Sequence, residues 1–256
     1  MSIMRFRRLL PIAATCTLLA VPAAAQLNQP VYPAYDGFLL NEDGTYIIAY
    51  AYFSHNHEVV TVPPGAENAF ILEPFDRQQP TTFRPGHHRF QCVMVVEADF
   101  AGGLGWTLSY AGTTTSTSED MLQYNWELDD RTARAMLRDL DVANAPRGVC
   151  LNRSPIVRVL GLRNGPDGEP PEITVTLGTD LKLFGSVRDE GLPRGAALTS
   201  DWRQIGGPGN VTFSTPDEPR TLAAFDNPGT YELELWASDS MRESNTRVIV
   251  HVEAAP

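Results

Sequence analysis

Apolar and polar residues alternate along most of this chain, in short runs that end at glycine, proline, asparagine or aspartate. A period of two places every second side chain on one face, as in a half-buried β-strand. The pattern is clearest beyond residue 150, where turn residues separate nearly all of the runs. It predicts eight strands there, at 156–160, 173–177, 180–184, 198–204, 211–214, 221–225, 230–237 and 246–252.

The first half of the chain has the same kind of pattern, interrupted more often by proline and glycine. Two runs, 46–53 and 89–97, are rich in β-branched and aromatic residues and predict its main strands. Residues 26–36 contain two prolines and no period, so we expect an extended lead-in there. Shorter strands are predicted at 58–62, 69–72, 81–83, 106–110 and 124–128, the fourth of them returning from a hairpin loop at 101–105.

One segment, 131–140, has helical periodicity instead. Its apolar residues recur three and four positions apart, as on one face of a helix, and Asp129 or Asp130 can act as the N-cap. The members of this face are Ala133, Met136, Leu137 and Leu140.

Short, evenly spaced strands with turn residues between them are typical of a sandwich. The sequence therefore predicts an all-β protein with two tandem immunoglobulin-like β-sandwich domains, at 26–128 and 152–256. A short helical connector at 129–151 joins them. Each domain is long enough to bury a core of its own.

The N-terminal segment 1–25 has the features of a secretory signal peptide. A basic start precedes an apolar run, and three alanines ending at Ala25 resemble a cleavage site. No later stretch approaches the ~20 apolar residues that a membrane-spanning helix needs. We therefore expect an exported product, periplasmic or secreted, with no transmembrane segment in the mature chain.

The charge of the chain restricts its partners. The net charge of −11 becomes −14 when the three arginines of the predicted signal peptide are removed, since that segment holds no acidic residue. Nucleic acids and anionic membranes both require a basic surface. The expected partner is a protein or a glycan in the envelope or outside the cell.

The mature chain contains two cysteines, Cys92 and Cys150. An even number of cysteines in an oxidising compartment predicts a disulfide. Two separate buried thiols are the alternative, because the sequence does not bring the two Cα atoms within bonding distance.

The C-terminal half resembles the polycystic kidney disease (PKD) repeat over about residues 152–254. The resemblance depends on Trp202, the Gly-Pro-Gly turn at 207–209, the Pro-Gly-Thr-Tyr sequence at 228–231 and a strand that ends at Asp239. It implies two stacked sheets with Trp202 between them and Tyr231 at a corner. It also implies a module that holds, spaces or binds. The N-terminal half resembles β-rich segments of uncharacterised exported bacterial proteins, which implies no function.

In some PKD-type modules a calcium ion lies where the linker meets the strand ends. The positions that match here are Asn152, Ser154, Asp189 and Asp239. Calcium takes six or more oxygen ligands, and these residues supply only part of such a set. The alternative is turn chemistry, in which these side chains bond their own backbone. No cofactor other than calcium is expected.

Four histidines form a second candidate metal site, for zinc or copper: His55, His57, His87 and His88. The first two lie two positions apart and would share one face of a strand. The alternative is that all four line polar strand ends and a loop, because no recognised metal-binding spacing is present.

The third candidate is an exposed tryptophan. Alternation along 231–237 directs Glu232, Glu234 and Trp236 outward. An indole between carboxylates can stack on a sugar ring or anchor a partner. The alternative is burial of Trp236 where the domains meet or under the loop 164–171.

These features together predict a non-enzymatic exported binding or scaffold protein that acts through its sandwiches, for example in adhesion or envelope assembly. One alternative is a carbohydrate-binding accessory protein that uses Trp236 and the tyrosines of 46–52. Another is a hydrolase or metal-dependent enzyme on the N-terminal half. No nucleophile-elbow sequence supports the enzyme.

Overall fold

The computed structural model describes residues 28–98, 103–117 and 122–255. The predicted signal peptide lies outside these ranges. The described chain consists mainly of β-strands, with one α-helix and two short 3-10 helices. No helix within the described ranges is long and apolar enough to span a membrane.

The N-terminal sandwich comprises the first eight strands. One sheet has the order β1-β2-β6, a second has the order β4-β7-β8, and β3 pairs with β5. The strands are β1 (Val31–Leu40), β2 (Tyr46–Ser54), β3 (Val60–Thr61), β4 (Asn68–Phe70), β5 (Thr82–Phe83), β6 (Gly86–Val96), β7 (Trp106–Tyr110) and β8 (Thr113–Ser116).

The core of this sandwich is aromatic and lies between the two larger sheets. Tyr50, Phe70 and Trp106 are each at most 1% exposed and pack with their rings edge-on or stacked. The Trp106 indole donates to Asn68 Oδ1 at 2.9 Å, which satisfies its buried N–H. Tyr50 donates its hydroxyl proton to the carbonyl of Leu104.

The opposite face of the β1-β2-β6 sheet is covered by helix α1 (Asp130–Leu137). Asp129 caps the helix, since its carboxylate accepts from the backbone N–H groups of Arg131 and Thr132 at 2.9 Å. Met136 is fully buried against a cluster that includes Ile47 on β2. The predicted helix and its cap are thus confirmed, although the helix ends earlier than 140.

The predicted disulfide between Cys92 and Cys150 is confirmed. It joins β6 to a segment that runs along this strand, where Leu151 N–H donates to the carbonyl of Val93 at 2.8 Å. The end of the predicted connector therefore packs on the N-terminal sandwich. The division at 129–151 stays a prediction.

The C-terminal sandwich contains all eight predicted strands in two four-stranded sheets, with orders β10-β16-β15-β12 and β13-β14-β11-β9. Pairing is antiparallel except between β10 and β16. The strands are β9 (Ile156–Val159), β10 (Glu172–Thr176), β11 (Leu181–Arg188), β12 (Thr199–Gly206), β13 (Val211–Phe213), β14 (Arg220–Phe225), β15 (Gly229–Ser238) and β16 (Glu243–Glu253).

Trp202 and Tyr231 occupy the positions that the resemblance implies. Trp202 is 2% exposed between the sheets and donates its indole N–H to the carbonyl of Pro219 at 3.0 Å. Tyr231 is fully buried, and its hydroxyl donates to the carbonyl of Asn227 at 2.8 Å. The prediction of an all-β, immunoglobulin-like sandwich protein is confirmed.

Three predictions for the N-terminal half are wrong. Residues 31–40 form a ten-residue strand rather than a lead-in. Residues 124–126 form a 3-10 helix rather than a strand. The strand 106–110 does not return beside β6 but pairs with β4 and β8 in the facing sheet. Part of the predicted hairpin loop before it lies outside the described residues.

Candidate functional site

Side chains from both sandwiches meet at one end of the C-terminal sandwich. Arg194 forms a bidentate pair with Asp76, at 2.8 and 2.9 Å. Arg84, from the loop before β6, donates to the main-chain carbonyl of Asp189. A pocket of about 250 Å³ lies at this junction, lined by residues of both sandwiches.

Asp189 and Asp239 both line this pocket. Asp189 follows β11 and Asp239 follows β15, so each facing sheet contributes one carboxylate at its end. One oxygen of each is engaged: Asp189 Oδ2 accepts from Gly191 N–H at 2.7 Å. Asp239 Oδ1 accepts from the N–H groups of Met241 and Arg242, at 2.7 and 2.6 Å.

The second oxygen of each carboxylate, Asp189 Oδ1 and Asp239 Oδ2, is buried and has no hydrogen-bond partner. Asp239 as a whole is only 2% exposed. A buried, unpartnered carboxylate oxygen is costly, and native structures contain few of them. Two carboxylate oxygens without a hydrogen-bond partner thus belong to residues that line this pocket.

Asn152 has the same feature, because neither its amide oxygen nor its amide nitrogen has a partner although both are buried. The next residue, Arg153, donates its backbone N–H to Glu190 Oε1 at 2.5 Å, which holds this segment beside the end of β11. The structure therefore brings Asn152 to the same end of the sandwich as Asp189.

The electrostatics reflect this crowding. The pKa of Asp189 is raised, first by burial and further by the negative charge of Asp239, while the Gly191 N–H and the Arg84 guanidinium act in the opposite direction. Mutual repulsion of two partly buried carboxylates is relieved by a cation between them.

Beside this pair, Glu190 and Arg153 form a buried ion pair, with Oε2 and Nε 4.0 Å apart. Burial and the charge of Asp189 raise the pKa of Glu190 to about 7, and Arg153 partly offsets this. Burial lowers the pKa of Arg153, and Glu190 raises it. The sequence offers no signal for this pair, since its members lie 37 positions apart and in different turns.

These oxygens fit calcium in part. Asn152 Oδ1, Asp189 Oδ1 and Asp239 Oδ2 are hard oxygen donors, as calcium prefers. Ser154 contributes no unpartnered atom, and its carbonyl accepts from Arg138 at 3.1 Å. Three of the four predicted residues therefore suit a cation site, and water would complete the shell.

The four histidines do not form a metal centre. Within the described ranges no three residues among histidine, cysteine, aspartate and glutamate are grouped to hold a metal. The strand β2 ends at Ser54, so His55 and His57 lie in a loop rather than on one strand face. His88 stacks on Tyr52 at 4.9 Å, and its Nε2 lies 2.9 Å from the carbonyl of Pro85.

Trp236 points outward from β15, as expected, but one face of its ring is covered. The Arg203 guanidinium lies 4.5 Å from the ring centroid, and the indole N–H donates to Glu243 at 3.2 Å. Glu232 and Glu234 both pair with Arg247, at 3.0 and 3.6 Å. The polar side chains on this surface are therefore already paired with one another.

Of the three tyrosines in 46–52 proposed as sugar platforms, Tyr46 is half-buried beside Phe38 and the other two are buried. Tyr50 and Tyr52 are at most 1% exposed, because both faces of β2 are covered. A polar pocket of about 380 Å³ that the sequence did not indicate lies nearby, lined in part by His57, Glu58 and Tyr110.

No protein-family model matches the chain. Among solved structures, it is similar to the PKD domain of human KIAA0319, at 15% identity and a TM-score of 0.31, over 41% of this chain and 86% of that one. It is also similar to fibronectin(III)-like modules of Clostridium thermocellum CbhA, at 11% identity and a TM-score of 0.27, over 87% and 95% of the two chains. Drosophila N-cadherin EC1-3 matches at 13% identity and a TM-score of 0.30, over 90% and 69%. Likeness at this level says nothing about activity.

Proposed function

We propose that this protein is an exported, non-enzymatic binding or scaffold protein whose two sandwiches are joined at a calcium-binding junction. The observation that carries the proposal is the set of buried, unpartnered oxygens on Asn152, Asp189 and Asp239. The disulfide and the signal-peptide features of 1–25 support export.

Bound calcium would supply positive charge between the two carboxylates. Asp189 is the residue through which this affects the whole molecule, because its main-chain carbonyl accepts from Arg84 of the N-terminal sandwich. Fixing the Asp189 side chain therefore also fixes an inter-domain contact. Such a junction suits a protein that presents two modules in a defined arrangement.

Calorimetric titration of the chelator-treated protein with calcium tests the proposal. We expect one calcium per chain, and loss of binding in Asp239→Asn, which keeps the acceptor for Met241 and Arg242 but removes the charge. The matched control is Asp180→Asn, an exposed aspartate before β11. Absence of calcium binding, or equal binding by Asp239→Asn, would refute the proposed site.

The two alternative functions have no comparable observation in their favour. The carbohydrate-binding alternative relied on the tyrosines of 46–52, of which Tyr50 and Tyr52 are buried and Tyr46 is half-buried, and on Trp236, whose ring is partly covered by Arg203. The enzyme alternative relied partly on the four histidines, which form no metal group in the described part of the chain.

A further inference from the structure

A second, smaller crevice shares Asp189 and Glu190 with the pocket at the junction. It has a volume of about 130 Å³ and opens between the starts of β6 and β9 and the end of β11. Its lining is strongly basic in a chain whose net charge is −11, and includes Arg84, His87, His88, Arg89, Arg153 and Arg188.

Two of these arginines already have carboxylate partners. Arg89 pairs with Asp36 at 2.7 Å, and Arg153 pairs with Glu190. Arg84 and Arg188 form no ion pair with any described residue. Arg84 donates to a main-chain carbonyl, and no side-chain hydrogen bond of Arg188 is formed within the described ranges. The crevice therefore holds two arginines without an ion pair to any described residue, and Asp189 is the carboxylate whose pKa the charge of Arg84 lowers.

A buried donor is also unused here. Arg153 is 4% exposed, and its Nε–H has no hydrogen-bond partner, because Glu190 Oε2 is too far away at 4.0 Å. Buried guanidinium donors are normally satisfied by a hydrogen-bond acceptor. The unpaired Nε–H is therefore a second observation, independent of the charges, that indicates a ligand with an acceptor atom.

Positive charges of the crevice act on His88. Burial is the main reason that the pKa of His88 is lowered, and the charges of Arg84 and Arg188 lower it further, although the Pro85 carbonyl acts in the opposite direction. Two acids also line the crevice: Glu190 faces Arg153, and Asp189 Oδ2 accepts from the Gly191 N–H.

We propose that this crevice binds a phosphate group between Arg84 and Arg188. The two guanidinium groups come from different elements, the loop before β6 and the end of β11, so they meet a ligand from different directions. A tetrahedral oxyanion presents oxygens to both, whereas a planar carboxylate presents two in one plane. The volume is well below that of a drug-sized ligand site, which restricts the buried part of the ligand to one small group.

Titration calorimetry with inorganic phosphate and with glucose 6-phosphate, in calcium-free buffer at low ionic strength, tests this site. Omitting calcium keeps the proposed cation site empty during the titration. We expect one saturable site per chain, weakened about tenfold or more in Arg188→Gln through loss of a charge-assisted contact. Arg220→Gln, an exposed arginine of the same sandwich on β14, is the matched control and should bind like the wild type.

Comparable or tighter binding of glucose 6-phosphate would identify a saccharide phosphomonoester as the ligand, and binding of inorganic phosphate alone would identify the free ion. Either result supports the site if Arg188→Gln weakens it selectively. Absence of saturable binding to both probes, or equal weakening by Arg188→Gln and Arg220→Gln, would overturn the proposal. Because Arg188 is exposed, the variant is expected to fold, and a circular dichroism melt checks this.

Discussion

Asp239→Asn is predicted to change the stability of the protein in opposite directions with and without calcium. In the wild type, Asp239 Oδ2 is buried without a partner, and burial first and the negative charge of Asp239 second raise the pKa of Asp189. The asparagine oxygen can keep both backbone hydrogen bonds of Oδ1, and its amide nitrogen then replaces Oδ2. The substitution thus removes a charge and supplies a donor near an unpartnered carboxylate.

The magnitude follows from these contacts. An unsatisfied buried polar group costs about 1–3 kcal/mol, so in chelator Asp239→Asn should be more stable than the wild type by about that amount. Calcium at a thousand times its Kd adds about 4.1 kcal/mol to the wild type alone. The order of the two proteins should therefore reverse when calcium is added.

Urea unfolding, followed by tryptophan fluorescence in chelator and in calcium, measures both differences. Trp202 is a buried reporter in the same sandwich. Asp180→Asn, exposed before β11, controls for loss of a negative charge. If Asp239→Asn is less stable than the wild type by the same amount under both conditions, the reasoning about the unpartnered oxygens is wrong.

Three further predictions concern stability. Trp202→Ala should cost about 3–5 kcal/mol in chemical denaturation because the indole is buried between the sheets, whereas Trp236→Ala on the outer face should cost much less. Replacing Cys92 and Cys150 together by serine should cost about 4 kcal/mol, since the bridge closes a loop with a sequence separation of 58; an unchanged denaturation midpoint under non-reducing conditions would contradict this. In the presence of chelator, the pKa of Glu190 is raised to about 7 in the folded state, so the folded protein keeps a proton on this carboxyl group at pH values where the unfolded protein has lost it. The stability that this proton contributes is complete below the unfolded pKa of about 4.3 and is lost as pH rises through about 7. Glu190→Gln should therefore flatten the fall in the free energy of unfolding between these two pH values. Parallel pH profiles of the two proteins would count against this prediction.

The C-terminal strands could be predicted because their alternation is regular. In β15, for example, Tyr231, Leu233 and Leu235 are buried in alternation, with one face of the strand in the core and the other outside. The single bulge in the pairing of β12 with β15 lies near the strand end and does not disturb the pattern.

The N-terminal half was harder to predict because its strands are covered on both faces or are irregular. β1 has a bulge between Tyr35 and Gly37 that shifts the register, so its period is broken. Gly37 has φ +121°, and a Cβ there would lie 2.6 Å from the carbonyl oxygen of Trp126. This close approach, and not a local sequence signal, determines where the strand bends.

The resemblance directed attention to residues at strand ends, and the cation site itself stays a proposal. Asn152, Asp189 and Asp239 have unpartnered atoms there, but Ser154 does not. The basic crevice could not be predicted, since Arg84 and Arg188 come together only through the packing of the two sandwiches. The periodicity within each half of the sequence does not predict a contact between residues of different halves.

A crystal structure of the protein grown with calcium tests the central claim most directly. We predict one calcium ion at the junction, bonded at about 2.3–2.6 Å to Asn152 Oδ1, Asp189 Oδ1 and Asp239 Oδ2. Electron density showing only water between these oxygens at saturating calcium, or calcium bound elsewhere while this pocket holds none, would contradict it.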